Sequence, residues 1–423
     1  MKKKILVLIS ILIGLDCHLI ALPLNIASNA QVIASSELTE EFRAENVIDG
    51  IIGISNKGEW ACKGNTTSWG YVDFPWIQLM WGKPQAINKV VLYDRPNLEE
   101  HIAGGKLLFS DGSIIWVNQI PNDGTAKAIT FPSKTVEWIK FIVTDGDGKN
   151  LGLSEIEVFP AFSENSDYVS KVDPYIETNR GRYFFFITGA RPFGMVGSAP
   201  LTRNKNQWGG GYNYNETEVL GIPQIHTWMI SGIEIMPTST EIDPTLGEKG
   251  WKSSFSHDDE IVQPGYHRIF LRNYKIWTEM TATDRVTFHR FCFTEGMDAQ
   301  ILINLGGYLG NSTMKAASVK KVNDREIEGY FNSTDRFWGG PKNVEVFFIA
   351  QFDEPFKQLD GWKGTKRYHN ISEISGDSTG VSAIYSMHPG DKLQMKIAVS
   401  YTSIENARKN LEIECPAWNF DEV

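Results

Sequence analysis

The stretch Asp173–Met236 reads DPYIETNRGRYFFFITGARPFGMVGSAPLTRNKNQWGGGYNYNETEVLGIPQIHTWMISGIEIM. A buried β core accounts for the Phe triplet at Phe184–Phe186 and for the apolar run Ile230–Met236. It does not account for Trp208-Gly-Gly-Gly-Tyr212. Three consecutive glycines let a backbone approach another group closely or turn with positive φ. Aromatic residues on both sides of such a loop offer flat apolar faces, which suits a sugar ring with polar neighbours for its hydroxyls. Each of these aromatics also has a plain reading as core packing.

Further blocks follow in order. They are SSFSHDDEIVQPGYHRIFL at 253–271, TATDRVTFHRF at 281–291, ILINLGG at 301–307 and SYTSIENARKNLEIECPAWNFD at 400–421. With the opening stretch, these blocks resemble the N-terminal domain of glycoside hydrolase family 92, the calcium-dependent exo-α-mannosidases of gut and soil bacteria. The resemblance covers about Asp173 to Val423. It implies a large β-sandwich of the kind that precedes an (α/α)6 catalytic barrel. It also implies an inverting hydrolase, which needs one carboxylic acid for the leaving oxygen and one carboxylate to activate water. In that family the acid, the base and the catalytic calcium ligands belong to the barrel, so no catalytic residue is assigned here. The run His257-Asp258-Asp259-Glu260 is expected to be a solvated loop.

What the resemblance does imply for this half is part of the wall of a mannose pocket. Trp208 and Trp228 are candidates for stacking, and Tyr212 and His226 for hydrogen bonds to hydroxyls. The family's Ser-His-Thr-His-like run is replaced here by Pro223-Gln224-Ile225-His226-Thr227-Trp228, so one histidine is missing.

The preceding block, about 22–162, alternates short apolar–polar strands with turn residues, as a β-sandwich does. Expected strands are Trp76–Met80, Lys89–Tyr93, Gly105–Phe109, Ile114–Asn118, Ala126–Phe131, Trp138–Val143 and Ser154–Val158. Turns are signalled by Asp111-Gly112, Asn122-Asp123-Gly124 and the Asp145–Gly148 repeat. The run Ala44-Glu45-Asn46-Val47-Ile48-Asp49-Gly50, the residue Trp60 and the closing Leu153–Val158 resemble the discoidin or factor 5/8 type C domain. In bacterial glycosidases this is carbohydrate-binding module family 32. That family often holds a structural calcium between the Asp-Gly turn and the closing strand. Asp49 and Glu155 are the matching positions, with Ser55 the nearby hydroxyl where a threonine is usual. Calcium wants several hard oxygens, which a turn and a carboxylate supply. The alternative is that Asp49 caps its own turn.

Composition bounds these readings. The chain has 423 residues, 22% charged and 42% hydrophobic, the profile of a globular protein with two or three domains. Aromatics reach 12%, with 13 Trp, and there are 38 Gly, which favours loop-rich β architecture. A net charge of −10 argues against nucleic acid as a partner. The four cysteines, Cys17, Cys62, Cys292 and Cys415, show no CxxC spacing, so neither zinc nor a disulfide framework is expected.

Residues 1–21 read as a secretion signal: Lys2-Lys3-Lys4, an apolar run Ile5–Leu15 too short to span a bilayer, and cleavage near Ala21. A lipoprotein reading would use Cys17, but Asp16 fits a lipobox poorly. The expected location is therefore secreted, periplasmic or cell-surface, with no transmembrane segment.

The fold class expected is all-β. A discoidin-like jelly-roll sandwich (22–162) and a linker (163–171) lead to a large sandwich, or supersandwich, at 172–402. The segment 403–423 starts a linker helix. Long strands are expected at Gln300–Gly306, Val344–Phe352 and Leu393–Thr402, and Trp277–Phe293 alternates as a strand across a bend at Thr283-Asp284. Thr402 to Glu405 fits a capping box for a helix Ile404–Glu412, stopped by Pro416. Two functions compete. One is the N-terminal, carbohydrate-binding half of a secreted exo-α-mannosidase, truncated or split from its barrel and inactive without it, with a separate catalytic-barrel chain as a candidate partner. The other is a stand-alone lectin-like protein. Both take mannose-containing glycans.

Overall fold

The structure is a computed structural model that describes residues 25–64, 74–161, 169–179, 189–204, 211–226, 231–309, 312–334 and 343–423. Two β-sandwiches follow one another along the chain. The first holds β1 (Gln31–Ala34), β2 (Trp60–Ala61), β3 (Trp76–Asp94), β4 (His101–Phe109), β5 (Ile114–Asn118), β6 (Ala126–Asp147) and β7 (Gly152–Pro160). Their pairing order is β2-β7-β3-β6-β4-β5, with β1 on β3.

The expected strands Trp76–Met80 and Lys89–Tyr93 are one strand, β3, and Ala126–Phe131 and Trp138–Val143 are one strand, β6. Register shifts between Met80 and Gln85 and between Ile87 and Lys89 let both run on without breaking the ladder. The first half of β3 pairs with β1 and with the second half of β6, whereas its second half pairs with β7. The two strands thus belong to both layers, and the layers close on one core that includes Ile77, Leu107, Phe141, Ile156 and Val158. Trp60 is fully buried and its Nε1 donates to the Ser36 carbonyl at 2.9 Å. Asn25 Oδ1 accepts from the Val158 amide at 3.0 Å and ties the start of the domain to β7.

The second sandwich stacks a six-stranded sheet on a ten-stranded one around a single large core. Trp277–Phe293 is a hairpin, not one bent strand: Ile276–Ala282 pairs antiparallel with Val286–Phe293. Val344–Phe352 forms as expected, and the two other long strands run Met297–Asn304 and Lys392–Ser400.

The helix spans Ile404–Glu414, and its N-cap is Ser403, whose hydroxyl accepts from the Asn406 amide at 3.1 Å. Thr402 is not the cap because its hydroxyl is engaged with Ser400 and with the Asn406 side chain. Ala407 and Leu411 pack against Val286, Phe288, Ile349 and Ala398 on the outer face of the ten-stranded sheet. Beneath it, buried Lys396 donates to the carbonyls of Cys415 and Ala417 at 2.9 and 3.2 Å.

The two sandwiches meet on an apolar seam of Ile52, Val91, Tyr93, Ala126 and Phe159 against Ile261, Phe270 and Trp277. Arg268 crosses it to grip Glu157 with both Nη atoms, at 2.8 and 2.6 Å, while its guanidinium lies 4.8 Å from the Trp277 ring. Among the described residues Cys62, Cys292 and Cys415 are free thiols, and no helix is long and apolar enough to cross a membrane.

Candidate functional site

The base of the Trp208 loop is a ladder rung. Arg203 and Gly211 exchange both backbone hydrogen bonds at 2.9 Å, and the Thr202 hydroxyl accepts from the Asn213 amide at 2.6 Å. Trp208 and Trp228 themselves lie outside the described residues. His226 ends the strand Ile222–His226 and is in register with Ser231. Tyr212 is buried, and its hydroxyl donates to Glu260 Oε2 at 2.8 Å. In this structure its polar atom therefore serves an internal contact.

Glu260 is a hub. Beyond Tyr212 it meets Tyr175 at 3.2 Å, His257 Nδ1 at 2.6 Å and His267 Nε2 at 2.8 Å. Burial works to raise its carboxyl. The hydrogen bonds and charges of the two histidines outweigh this and hold it down at about 2. Burial likewise opposes protonation of His257, yet Glu260 and the Tyr214 carbonyl raise its pKa. The 257–260 run is therefore not a solvated loop. Asp259 is buried too, bound by Arg272 at 2.7 Å and by the Ala126 amide of the first sandwich, also at 2.7 Å. Apart from His257, the cations and donors that satisfy these acids lie outside the run, so the run by itself reads as exposed.

Next to the loop base opens a cleft of about 390 Å³. Its lining includes Trp251, Trp362, Asn304, Glu248, Lys249 and Gly306. Asn204, at the edge of the Trp208 loop, contacts Glu248 at the cleft rim. The rings of Trp251 and Trp362 are 6.3 Å apart and tilted by 48°. Trp251 is pinned by its Nε1 on the Leu220 carbonyl at 2.7 Å. Asn304 donates to buried Glu234 at 2.7 Å, and burial pushes that carboxyl up to about 8, so it is neutral at physiological pH. The cleft thus combines indole edges with amide and carboxylate groups, a lining suited to a hydroxylated ring. Sequence reasoning missed Trp251 and Trp362 because more than a hundred residues separate them and only the fold pairs them. The signal present was a tryptophan close to each of two glycine-bearing turns, Gly247 and Gly364.

In the first sandwich the fold brings Asp49 to Glu155. Asp49 Oδ1 accepts from the Ile51 amide at 2.8 Å and so caps its own turn, while the Gly50 amide donates to Glu155 Oε2 at 3.1 Å. Glu155 is buried, and its Oε1 has no hydrogen-bond partner. Burial first, then Glu157 and Asp49, raise its pKa. Ser55 is exposed and accepts from the Asn56 side chain at 3.2 Å. No group of three or more His, Cys, Asp or Glu is placed to hold a metal among the described residues. An orphaned buried carboxylate oxygen beside a second carboxylate nevertheless fits a hard cation that completes its shell with carbonyls and water.

Comparison with known proteins bears on both sandwiches. Residues 171–400 match the glycosyl hydrolase family 92 N-terminal domain, and residues 25–159 match a domain of unknown function, DUF7402. The fold is similar to a family GH92 α-mannosidase of Bacteroides thetaiotaomicron, with 22% identity and a TM-score of 0.54 over 62% of this chain. The same enzyme in complex with mannoimidazole gives 24% identity and a TM-score of 0.52 over 58% of this chain. A further GH92 hydrolase, ccman5, gives 22% and 0.51 over 60%. The chain covers 37%, 34% and 35% of those three structures. No curated protein sequence matches it.

Proposed function

Since this chain belongs to glycoside hydrolase family 92, we propose that it is the N-terminal, carbohydrate-binding half of a secreted exo-α-mannosidase. The observation that carries this reading is the cleft whose lining includes the buried pair Trp251 and Trp362, joined through Asn204 and Glu248 to the Arg203–Gly211 rung that flanks the Trp208 stretch. In this reading Trp208 and Trp228 stack on the sugar, His226 contacts its hydroxyls, and Tyr212 anchors the loop base through Glu260. The binding of mannoimidazole by a relative of the same fold supports a mannose-type ligand.

Hydrolysis needs a proton donor and a water-activating carboxylate on opposite faces of the sugar. The well-buried acids of the second sandwich are committed elsewhere: Glu260 to four donors, Asp259 to Arg272, and Glu234 to Asn304. The chemistry is accordingly assigned to the family's barrel. A calcium ion held by Asp49 and Glu155 in the first sandwich would neutralise the two acids and fix the Asp49-Gly50 turn. Residues 1–21 direct export.

Calorimetric titration of the chain from residue 22 with α-linked mannobiose tests the reading. Binding at millimolar strength, lost in Trp208→Ala, is expected, with no mannose released by this chain alone. Absence of binding in the parent chain would sink it.

A further inference from the structure

The first sandwich has two outer faces, and the seam with the second sandwich draws on one of them, formed by β7 and the second half of β3. The other is built from β1, the first half of β3, the second half of β6, β4 and β5. Ile77, Leu79, Leu107, Phe109, Ile139 and Phe141 point into the core. Their neighbours in sequence therefore point outward, because side chains alternate along a strand.

Those outward positions carry three tryptophans, Trp76, Trp116 and Trp138. Trp116 is 69% exposed, and Ile33 and Ile114 at the two margins are 44% and 48% exposed. An exposed face this rich in large apolar groups marks an interaction site. Its charge is largely positive. The outward positions in register across the five strands include Lys106 and Lys140, with one acid, the exposed Asp145 opposite Gly104 at one end of the face, in a chain of net charge −10. Each lysine sits over a tryptophan. Lys140 Nζ is 3.8 Å from the Trp76 ring centroid and Lys106 Nζ is 5.7 Å from that of Trp116. The amide of Gln78 lies between Lys140 and Ile33 in the same cross-strand row.

We propose that this face is a binding surface for an acidic polysaccharide, with Trp116 and Trp76 as stacking platforms and Lys106 and Lys140 as the groups that take its carboxylates or sulfates. Trp116, Lys106, Ile142 and Trp76 stand in one row across four strands. Three strand spacings separate the two rings by about 14 Å. That span fits several linked sugar rings meeting the surface at intervals. An ammonium already held at a ring face is positioned for an anionic substituent on a sugar stacked beside it. The lysine set between indoles in this row, with Lys140 and Gln78 in the next, favours a hydroxylated anionic chain over an apolar protein helix. The surface lies in a different sandwich from the mannose-type cleft, and its reading does not depend on that one.

Affinity electrophoresis of the chain from residue 22 in gels containing polygalacturonate, dextran sulfate or neutral mannan tests this. Retardation by an anionic polymer is expected. Trp116→Ala should weaken it at least tenfold, and Lys106→Gln with Lys140→Gln should remove its salt dependence. Both variants should leave retardation by mannan unchanged. Retardation by polygalacturonate alone identifies carboxylate sugars as the ligand, and by dextran sulfate alone sulfated ones. Equal urea midpoints for all forms exclude unfolding as the cause. No retardation by either anionic polymer, or retardation untouched by both variants, overturns the proposal. So does a concentration-dependent dimer in ultracentrifugation that Trp116→Ala abolishes, which would make the face a contact between copies.

Discussion

The two outer faces of the first sandwich share two strands and differ in almost everything else. One face sets Glu157, Tyr93 and Phe159 against Arg268, Phe270 and Trp277, and its buried carboxylate is gripped by both Nη atoms of Arg268 from the second sandwich. The other sets Trp116, Trp76, Lys106 and Lys140 toward solvent. Aromatic residues lie on both, so hydrophobicity alone does not distinguish a seam from a binding surface. The carboxylates do. The seam buries Glu157 with a bidentate arginine, whereas the open face shows Lys106 and Lys140 to solvent with one exposed acid, Asp145, at its end. Burial of a charge is tolerable only with its partner in place.

The sharpest way to break the seam is Arg268→Ala, which leaves Glu157 buried beside Tyr93 without its cation. We expect a loss of about 3–5 kcal/mol in urea unfolding. Replacing both partners, Arg268→Met with Glu157→Leu, should recover most of it; no recovery would show that the pair is not the seam's critical element. Acid attacks the same side through Glu260, whose main-chain carbonyl accepts Lys89 Nζ from the first sandwich at 3.4 Å. Its folded pKa is about 2, below the unfolded value of 4.5. Its contribution is therefore full above 4.5 and lost as pH falls through 2, about 3 kcal/mol in all. Unfolding midpoints between pH 5 and 2 should fall steeply for the parent chain. For Glu260→Gln they should start lower and fall less.

Calcium gives an effect of about 2–3 kcal/mol if the ion exceeds its dissociation constant about a hundredfold. A calcium-dependent rise in melting temperature that is absent in Glu155→Gln checks it; equal rises in both would move the ion elsewhere. Smallest is the open face itself. Trp116→Ala should shift the urea midpoint by less than about 0.5 kcal/mol, the same change that is expected to cost the surface its ligand. A larger loss would make Trp116 structural.

Much of this architecture is legible in the sequence. Alternation placed Ile114–Asn118 and Val344–Phe352 as they stand, and the helix after Ser403 follows from its apolar spacing and Pro416. The merging of four expected strands into β3 and β6 was not legible. Alternation is a local signal, and a bulged strand passing between layers resembles two strands with a loop. The acids at 257–260 were misread for a similar reason. Apart from His257, what neutralises Asp259 and Glu260 is Arg272, His267, Tyr212 and an amide of the other domain, and none of these four lies in the run itself. Trp251 and Trp362 were invisible because their proximity exists only after folding.

The register shifts in β3 carry a genetic consequence. Before them the outward residues are even-numbered, Trp76, Gln78 and Met80, and after them odd-numbered, Lys89, Val91 and Tyr93. A one-codon deletion between Gly82 and Asn88 would thus leave one face intact and turn the other inside out. Length changes there are tolerable only in compensating pairs, so this short segment should drift in composition far more readily than in length.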